Sequence, residues 1–382
     1  MKRIIGFSVL GVVLVAGLGL AVFLEKQDKG NDGGNKQGSF QQDANEVMKK
    51  AVEVTLSDDG SVNASHLSIP WTINKSNSLF FLSQREGSVI QIDGNLGMVE
   101  VQKVKVSEDI VNEGEGGFLG FTLAPDFAKT KKAFAYHTYQ KDGKTLNRII
   151  SLKLEDNTWK EDKVLLDEIP GGKVSNGGRL KIGPDGMLYA TTGDVGIKEN
   201  AQNLNSLAGK ILRMKLSGDI PTDNPFENSY IYSYGHRNPQ GLAWDGDGNL
   251  YSSEHGESGH DEINLIQAGK NYGWPVVQGD EGAKGMMKPI LQSGDKTWAP
   301  SGMAFKDGKL FVASLAGKQI FTYDLASKNF QEFFGNAGRL RDVLVDNNEL
   351  YTITSNRDNR GKPTDKDDQL IHLSLTEKAS TN

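Results

Sequence analysis

The segment 231–275 has the chain's highest density of side chains that could do chemistry, IYSYGHRNPQGLAWDGDGNLYSSEHGESGHDEINLIQAGKNYGWP. Its glycines and aromatic residues are interleaved with charged or titratable groups at His236, Arg237, Glu254, His255, His260, Asp261 and Glu262. The histidines are metal ligands by type, but their spacing does not match a zinc site. By residue type alone, Arg237 is equally well explained by a salt bridge, and positions 261–262 by a solvated acidic pair.

A second candidate is the late segment GRLRD, which places Arg339 and Arg341 two positions apart. If this segment is extended, both side chains lie on one face. A pair of guanidinium groups on one face is suited to binding carboxylates, because each offers a planar fork of N–H donors. Salt bridges within a loop are the alternative explanation.

Internal repeats indicate which elements position these residues. The repeated unit consists of small residues, an apolar pair, a turn containing Asp or Asn, and an apolar-aromatic strand. Six copies occur, at 70–93, 117–140, 177–194, 238–256, 300–323 and 340–356.

Each copy has the features of a β-hairpin, with short alternating runs joined by Asp-Gly, Asn-Asn or Pro-Asp-Gly turns. One such unit cannot cover its own apolar face. Repeats at a spacing of about 50 residues favour an all-β, six-bladed β-propeller of four-stranded blades. We therefore predict one propeller domain over residues 50–376, with its functional groups on loops at one end of the central channel.

The amino terminus predicts export. Lys2 and Arg3 precede an uncharged, mainly apolar run over 4–24, which is long enough to span a bilayer. Residues 1–24 are expected to be a signal anchor, or else a cleaved signal peptide, with the body outside the cytoplasm. Residues 25–49 are polar and predict a disordered linker, and 377–382 form a short tail. The protein is thus expected on the cell membrane facing outward, or secreted after cleavage.

Composition excludes several classes of protein. The chain has no cysteine, which excludes disulfides, thiolate metal sites and a lipid-bearing cysteine. The net charge is −6 and no basic tract is interleaved with aromatic residues, so nucleic acid is not an expected partner. The sequence leaves the oligomeric state undetermined.

Several long motifs together resemble one family, the soluble quinoprotein aldose dehydrogenases of glucose/sorbosone dehydrogenase type. The resemblance covers roughly residues 70–373. Its motifs are GGFLGFTLAPDF, NGGRLKIGPDGMLYATTGD, LAGKILRMKLSGDIPTDNPF, GHRNPQGLAWD, EHGESGHDEINLI, NYGWPV, APSGMAF and GRLRD. It implies the six-bladed propeller independently of the repeats. It also implies oxidation of a sugar's anomeric carbon, with hydride transfer to pyrroloquinoline quinone (PQQ) in the presence of calcium.

The resemblance also implies roles for individual residues. Arg237 and Asn238 fall beside the reactive quinone carbonyl, which Arg237 would polarise. Further cofactor contacts are implied at Glu115, Thr297, Arg339 and Arg341.

Calcium is implied at two places. The backbone carbonyls of Gly256 and Glu257 match those that hold the cofactor calcium, although the family more often has proline at the second position. Glu262 and Tyr272 match positions that bind a second, structural calcium in bacterial members.

The sequence departs from the family at the proton acceptor. Active members have a histidine four residues before the arginine of the GGRL segment, and here that position is Ser175. A serine hydroxyl is not a useful base near neutral pH, and general-base catalysis contributes about 10²–10⁴-fold. A lysine that contacts the cofactor falls on Ala316, and a glutamine after the Gly-Asp pair falls on Val195.

Three functions fit these observations. The chain is a dehydrogenase in which Asp194 or a calcium-bound water takes the proton, or it binds quinone or sugar without turnover, or it is a propeller that binds a surface partner. The substrate of the first would be a small-molecule aldose, and a membrane carrier is a possible electron acceptor.

Overall fold

The fold was analysed in a computed structural model, which describes residues 50–57 and 61–376. The described residues are almost entirely strands, turns and loops. One short α-helix, α1 (Phe127–Thr130), and a 3-10 turn at Lys198–Ala201 are the helical elements in this part of the chain. The all-β class predicted from the repeats is confirmed.

The strands follow one another with short connections. In the first half of the chain they are β1 (Glu53–Leu56), β2 (Val62–Ser65), β3 (Pro70–Ser76), β4 (Leu79–Gln84), β5 (Ser88–Asp93), β6 (Val99–Lys105), β7 (Phe118–Leu123), β8 (Lys132–Lys141), β9 (Lys144–Glu155), β10 (Thr158–Pro170), β11 (Leu180–Ile182), β12 (Leu188–Thr192) and β13 (Lys210–Met214). In the second half they are β14 (Ile231–Tyr234), β15 (Pro239–Trp244), β16 (Leu250–Glu254), β17 (Glu262–Ile266), β18 (Leu291–Gln292), β19 (Pro300–Lys306), β20 (Lys309–Ser314), β21 (Gln319–Asp324), β22 (Phe330–Gly335), β23 (Leu340–Asp346), β24 (Glu349–Thr354) and β25 (Leu370–Ser374).

Most strands pair antiparallel with their neighbours in sequence. Three four-stranded sheets in the described part of the chain are β11–β14, β15–β18 and β19–β22, each in sequence order. An eight-stranded sheet consists of β3–β6 and β7–β10, joined by a parallel pairing of β6 with β10. A five-stranded sheet has the order β1-β2-β25-β24-β23, so that two strands from the start of the domain complete a sheet from its end. Each repeated segment identified in the sequence contains at least one antiparallel hairpin.

The first strands of successive groups lie against one another in a closed series, except that β12, the second strand of its sheet, makes the contact with β15. β3 contacts β7, β7 contacts β11, β12 contacts β15, β15 contacts β19, β19 contacts β23, and β23 returns to β3. The hydrophobic core lies between neighbouring sheets rather than at one centre. In β20, for example, Leu310 and Val312 pack into one cluster, whereas Phe311 and Ala313 pack into the next. Because successive side chains of a strand point to opposite faces, a strand covered on both sides is apolar throughout.

The predicted membrane anchor at 1–24, the linker at 25–49 and the tail at 377–382 lie outside the described residues. Within the residues that are described, no helix has the length and apolar character needed to cross a membrane. The domain boundaries remain predictions.

Candidate functional site

One end of the series of first strands encloses a cavity of about 420 Å³. Its walls come mainly from residues that precede a first strand, such as Asn238 before β15 and Arg339 before β23, and from residues that follow a second strand, such as Arg85 after β4 and His255 after β16. Positions far apart in the chain meet there because several repeats contribute the residues that flank the same ends of their first two strands. The cavity wall includes most of the predicted site: Glu115, Ser175, Arg237, Asn238, Gly256, Glu257, Thr297, Arg339 and Arg341.

The cavity is rich in guanidinium groups. The arginines on its wall are Arg85, Arg237, Arg339, Arg341 and Arg360, and the carboxylates are Glu115, Glu257, Asp261 and Asp358. Guanidinium groups bind carboxylates through paired N–H donors, so such a cavity is suited to a ligand with several carboxylates.

Arg341 is one of these cations whose hydrogen-bonding capacity is not filled. Its side chain is buried, its Nε has no hydrogen-bond partner, and its Nη2 lies 3.9 Å from the Asp358 carboxylate. Burial, together with the nearby charges of Arg339 and Arg85, lowers the pKa of Arg341 to about 9, although Asp358 acts in the opposite direction. Asp358 is engaged by Arg339, whose Nη2 donates to it at 2.9 Å. Arg341 is therefore available to an anion that enters the cavity.

Arg237 lies beside the backbone proposed to hold an ion. Its Nη1 donates to the Gly256 carbonyl at 2.6 Å and to the His255 carbonyl at 3.2 Å. Its guanidinium carbon lies 5.6 Å from the centre of the Trp274 ring. Asn238 follows it in the chain and is held in place by two hydrogen bonds. Its Oδ1 accepts one from the backbone N–H of Gly177 and one from the Gln240 side-chain amide.

Asp261 is a structural carboxylate rather than a solvated one. It is buried and accepts hydrogen bonds from the backbone N–H groups of Gly256, Trp298 and Ala299 and from the Thr297 hydroxyl. These contacts use both of its oxygens. Asp261 thus fixes the loop that carries Gly256 against the loop that carries Thr297, the predicted cofactor contact.

Glu115 is the carboxylate nearest to the position of the missing histidine. Its Oε2 accepts a hydrogen bond of 2.8 Å from the backbone N–H of Ser175, and its Oε1 lies 2.8 Å from the Arg360 Nη2. Burial acts to raise the pKa of Glu115, but the hydrogen bond from Ser175 and the charge of Arg360 outweigh it, and the pKa is lowered. Glu115 is consequently an ionised carboxylate at neutral pH, within reach of a ligand.

Comparisons with known proteins agree with this geometry. The family model described as Glucose / Sorbosone dehydrogenase matches residues 67–362. The chain belongs to the glucose/sorbosone dehydrogenase family. The resemblance stated from the sequence motifs is thereby confirmed.

Individual relatives give the extent of the likeness. Quinoprotein glucose dehydrogenase B of Acinetobacter calcoaceticus is 33% identical over 255 residues, which is 58% of this chain and 53% of that protein. The match therefore spans about half the length of that relative. Aldose sugar dehydrogenase YliI of Escherichia coli is 32% identical over 283 residues, covering 64% of this chain and 76% of that protein. The structure of the PQQ-bound aldose sugar dehydrogenase from Streptomyces coelicolor has a TM-score of 0.76 and 35% identity, covering 85% of this chain and 98% of that one.

Ser175, at the position of the family's histidine, and Asp194, the predicted alternative base, occupy different places. Ser175 is buried on the cavity wall. Asp194 is buried but does not line the cavity, because its Oδ2 accepts a hydrogen bond of 2.9 Å from the Trp274 indole and its Oδ1 one from the Gly196 N–H. Burial raises the pKa of Asp194. The sequence also departs from the family pattern at Ala316, in place of a lysine, and at Val195, in place of a glutamine. Ala316 lines the cavity and Val195 does not.

Glu262 and Tyr272 lie together in a smaller, adjoining cavity, whose wall also carries Glu254. Burial, together with the charge of Glu254, raises the pKa of Glu262 to about 8. The Glu262 oxygens accept hydrogen bonds from the Gly279 N–H and the Asn264 side chain. In residues 50–57 and 61–376, no three histidine or acidic side chains converge as a metal site.

Sequence reasoning missed three charged residues of the cavity wall, Arg85, Asp358 and Arg360. A signal for Arg85 exists, since it follows the second strand of its repeat, as His255 does in another. Alignment of the repeats would have placed both at the same end of the strands. Asp358 and Arg360 lie in the long connection between β24 and β25, where no repeated pattern fixes their position.

Proposed function

We propose that the chain is a PQQ-dependent aldose sugar dehydrogenase whose fold is a six-bladed β-propeller. The closed series of first strands and the repeated hairpins support six blades, two of which share the eight-stranded sheet. The single observation that carries the function is the arginine-rich cavity, where a buried Arg341 lacks a full set of partners. Relatives described as quinoprotein and aldose sugar dehydrogenases support the same reaction.

The cavity wall fits a quinone with three carboxylates. Five arginines face four carboxylates there, and Asp261 and Asp358 are already engaged by neighbouring groups. The unpartnered Nε of Arg341 is a buried donor, and such a group gains free energy when a ligand satisfies it. Arg339 and Arg341 would hold the carboxylates, with Glu115 and Thr297 at further contacts.

A bound quinone would supply the acceptor for the hydride that leaves the anomeric carbon of the sugar. Arg237 and Asn238 would lie beside the carbonyl that gains negative charge. A guanidinium group fixed by backbone carbonyls needs little reorganisation to stabilise that charge.

Glu115 is the residue that we propose accepts the proton of the sugar hydroxyl. It is hydrogen-bonded to Ser175, whereas Asp194 faces Trp274 outside the cavity. Its lowered pKa makes it a weaker base than imidazole. Proton removal should therefore be slower than in relatives that have the histidine.

Calcium is proposed at two places. The Gly256 and Glu257 backbone carbonyls would hold one ion beside the quinone, and the carbonyl of Gly256 already accepts a hydrogen bond from Arg237. The pair Glu254 and Glu262 in the adjoining cavity, with Tyr272, would hold the second. A divalent cation offsets the repulsion between two buried carboxylates.

A second candidate function is binding of quinone or sugar without turnover. The observation that favours it is Ser175 itself, because a hydroxyl cannot replace the basicity of imidazole. The arginine cluster serves this function equally well.

Tethering by residues 1–24, with the propeller outside the cytoplasm, is part of the same proposal. The basic pair Lys2 and Arg3 before the apolar run supports that orientation. A tethered dehydrogenase could pass electrons to a membrane carrier.

Titration calorimetry of the purified full-length chain with PQQ, with and without calcium, tests the binding. A dye-linked assay with a panel of aldoses then tests turnover. We expect calcium-dependent binding and reduction of the dye by at least one aldose. Binding without dye reduction would favour the non-catalytic function, and absence of binding would reject both in favour of a surface-interaction module.

A further inference from the structure

A second cavity, of about 470 Å³, lies at the opposite end of the same first strands. The first cavity is formed where these strands begin. The second is lined by the later part of β3 and its turn, by the end of β7, and by residues of β11 and β23. None of the residues used for the proposed reaction is on its wall.

Arg179 separates the two cavities. Its Nε donates to the Gln240 carbonyl at 2.8 Å, and its guanidinium carbon lies 4.3 Å from the centre of the Trp71 ring. Trp71 and Gln240 line the first cavity, whereas Arg179 lines the second. The stacked pair therefore forms a partition, and a ligand in the second cavity would not contact the quinone site.

Arg179 and Lys181 give the second cavity a positive charge. Arg179 is buried and its Nη1 lies 3.1 Å from the Asp342 carboxylate, while its Nη2 has no hydrogen-bond partner. Lys75, also on the wall, pairs with Asp346. Lys181 is half-buried and has no hydrogen-bond or ion-pair partner among the described residues. Of the three cations on the wall, Arg179 and Lys75 are each paired with a carboxylate, and Lys181 is not.

The remaining polar groups indicate the kind of ligand. Thr72, Asn74, Ser76, Asn77 and Thr122 line the cavity beside apolar carbon from Ile73, Leu123 and Leu344. Hydroxyl and amide groups suit a ligand with several hydroxyls, and the Asp342 carboxylate on the same wall disfavours a multiply charged anion.

We propose that this cavity binds a small hydroxylated monocarboxylate, such as a sugar acid, with Lys181 as the group that contacts its carboxylate and the buried Arg179 as a second positive charge behind the wall. Burial lowers the pKa of Lys181, and the charge of Arg179 acts in the same direction against that of Asp342. A bound carboxylate supplies the charge partner that Lys181 lacks. The inference stands whether or not the first cavity binds a quinone.

Calorimetry with gluconate and with glucitol tests the proposal. The two share a chain of hydroxyls and differ in the carboxylate. We expect gluconate to bind the full-length chain and glucitol to bind at least about tenfold more weakly, because a hydrogen bond to a charged group contributes about 1.5–3 kcal/mol and 1.4 kcal/mol is tenfold in affinity.

Variants locate the binding. Lys181→Met should weaken gluconate binding at least about tenfold, whereas Lys181→Arg should retain it. The matched control is Lys153→Met, which removes a surface lysine paired with Glu155 and should leave the affinity unchanged. Arg341→Met, in the first cavity, should also leave it unchanged. A thermal unfolding midpoint for each variant checks that it is folded.

Three results would overturn the proposal. They are the absence of gluconate binding at millimolar concentration, equal affinity for gluconate and glucitol, and loss of gluconate binding in Arg341→Met but not in Lys181→Met. The last result would show that gluconate binds in the arginine-rich first cavity instead. If Lys181→Met does not fold, the folded Lys181→Gln variant takes its place in the test. Loss of gluconate binding in that variant would support the proposal, and retained binding would overturn it.

Discussion

The carboxylate of Glu115 accepts a hydrogen bond of 2.8 Å from the backbone N–H of Ser175, although the two residues are 60 positions apart in the chain. The family resemblance implies a histidine base at the position of Ser175. The contact places an ionised carboxylate next to that position.

Glu115→Gln should reduce kcat of the quinone-loaded protein by at least about 100-fold, since general-base catalysis contributes about 10²–10⁴-fold. Quinone affinity should change by less than about tenfold, because the amide keeps the shape of the side chain. Steady-state kinetics and calorimetry measure the two effects. Glu113→Gln is the matched control, since Glu113 is exposed and does not line the cavity. Unchanged kcat in Glu115→Gln would exclude Glu115 as the proton acceptor.

Ser175→His should restore the family's base and raise kcat by at least about tenfold over the wild-type chain. The increase should persist in the double variant with Glu115→Gln, because the new imidazole no longer needs the carboxylate. A double variant as inactive as Glu115→Gln alone would show that the histidine position does not govern proton removal in this chain.

Arg341→Met should weaken quinone binding by about 10–100-fold without destabilising the fold. Arg341 is buried with an unpartnered Nε, and its removal leaves no carboxylate unpaired because Asp358 keeps its contacts with Arg339, so the penalty of breaking a buried ion pair does not apply. Calorimetry and thermal unfolding measure the two properties. Arg357→Met serves as control, because Arg357 lies on the surface outside the cavity. A clear loss of stability in Arg341→Met would mean that Arg341 holds the propeller together rather than serving the ligand.

Asp342→Ala should lower the free energy of unfolding by about 3–5 kcal/mol, because it leaves the buried charge of Arg179 without its ion-pair partner. Replacing both residues, Arg179→Met with Asp342→Ala, should recover part of that loss. Chemical denaturation of the single and double variants measures the effect. Equal destabilisation by the single and the double change would argue against an uncompensated charge as the cause.

His137 should make the protein sensitive to acid. It is fully buried, and burial, together with the charge of Arg148, lowers its pKa to about 4 from an ordinary value of 6.5. As pH falls from 6.5 towards 4, the unfolded chain takes up the proton and the folded chain does not, so stability present above 6.5 is lost, by up to about 3 kcal/mol. Chemical denaturation gives the free energy of unfolding at pH 7.5 and at pH 5. The decrease between these two pH values should be smaller for His137→Phe than for the wild type. If His137→Phe loses as much stability between these pH values as the wild type, groups other than His137 cause the acid sensitivity.

Local patterns were sufficient for the fold class and the family. Apolar strands such as β20 and the Asp-Gly and Asn-Asn turns depend on neighbouring residues, so they can be predicted without knowing the tertiary structure. Long motifs such as GHRNPQGLAWD placed Arg237 and Asn238 in the candidate site, and the structure places both on the cavity wall. The spacing of Arg339 and Arg341 likewise predicted that they share a face, and both line the same cavity.

The partners of these residues were decided only by the tertiary structure. Asp194 has a residue type suited to a base, yet the chain turns its carboxylate towards Trp274, 80 positions away. Glu115 was expected only as a cofactor contact, and its hydrogen bond to Ser175 joins separate repeats. Turn and strand patterns are set within a hairpin, whereas these contacts depend on how successive sheets pack around the closed series of first strands. The sequence by itself therefore determined an all-β member of a dehydrogenase family, and the packing of the repeats decided which of its charges face a ligand.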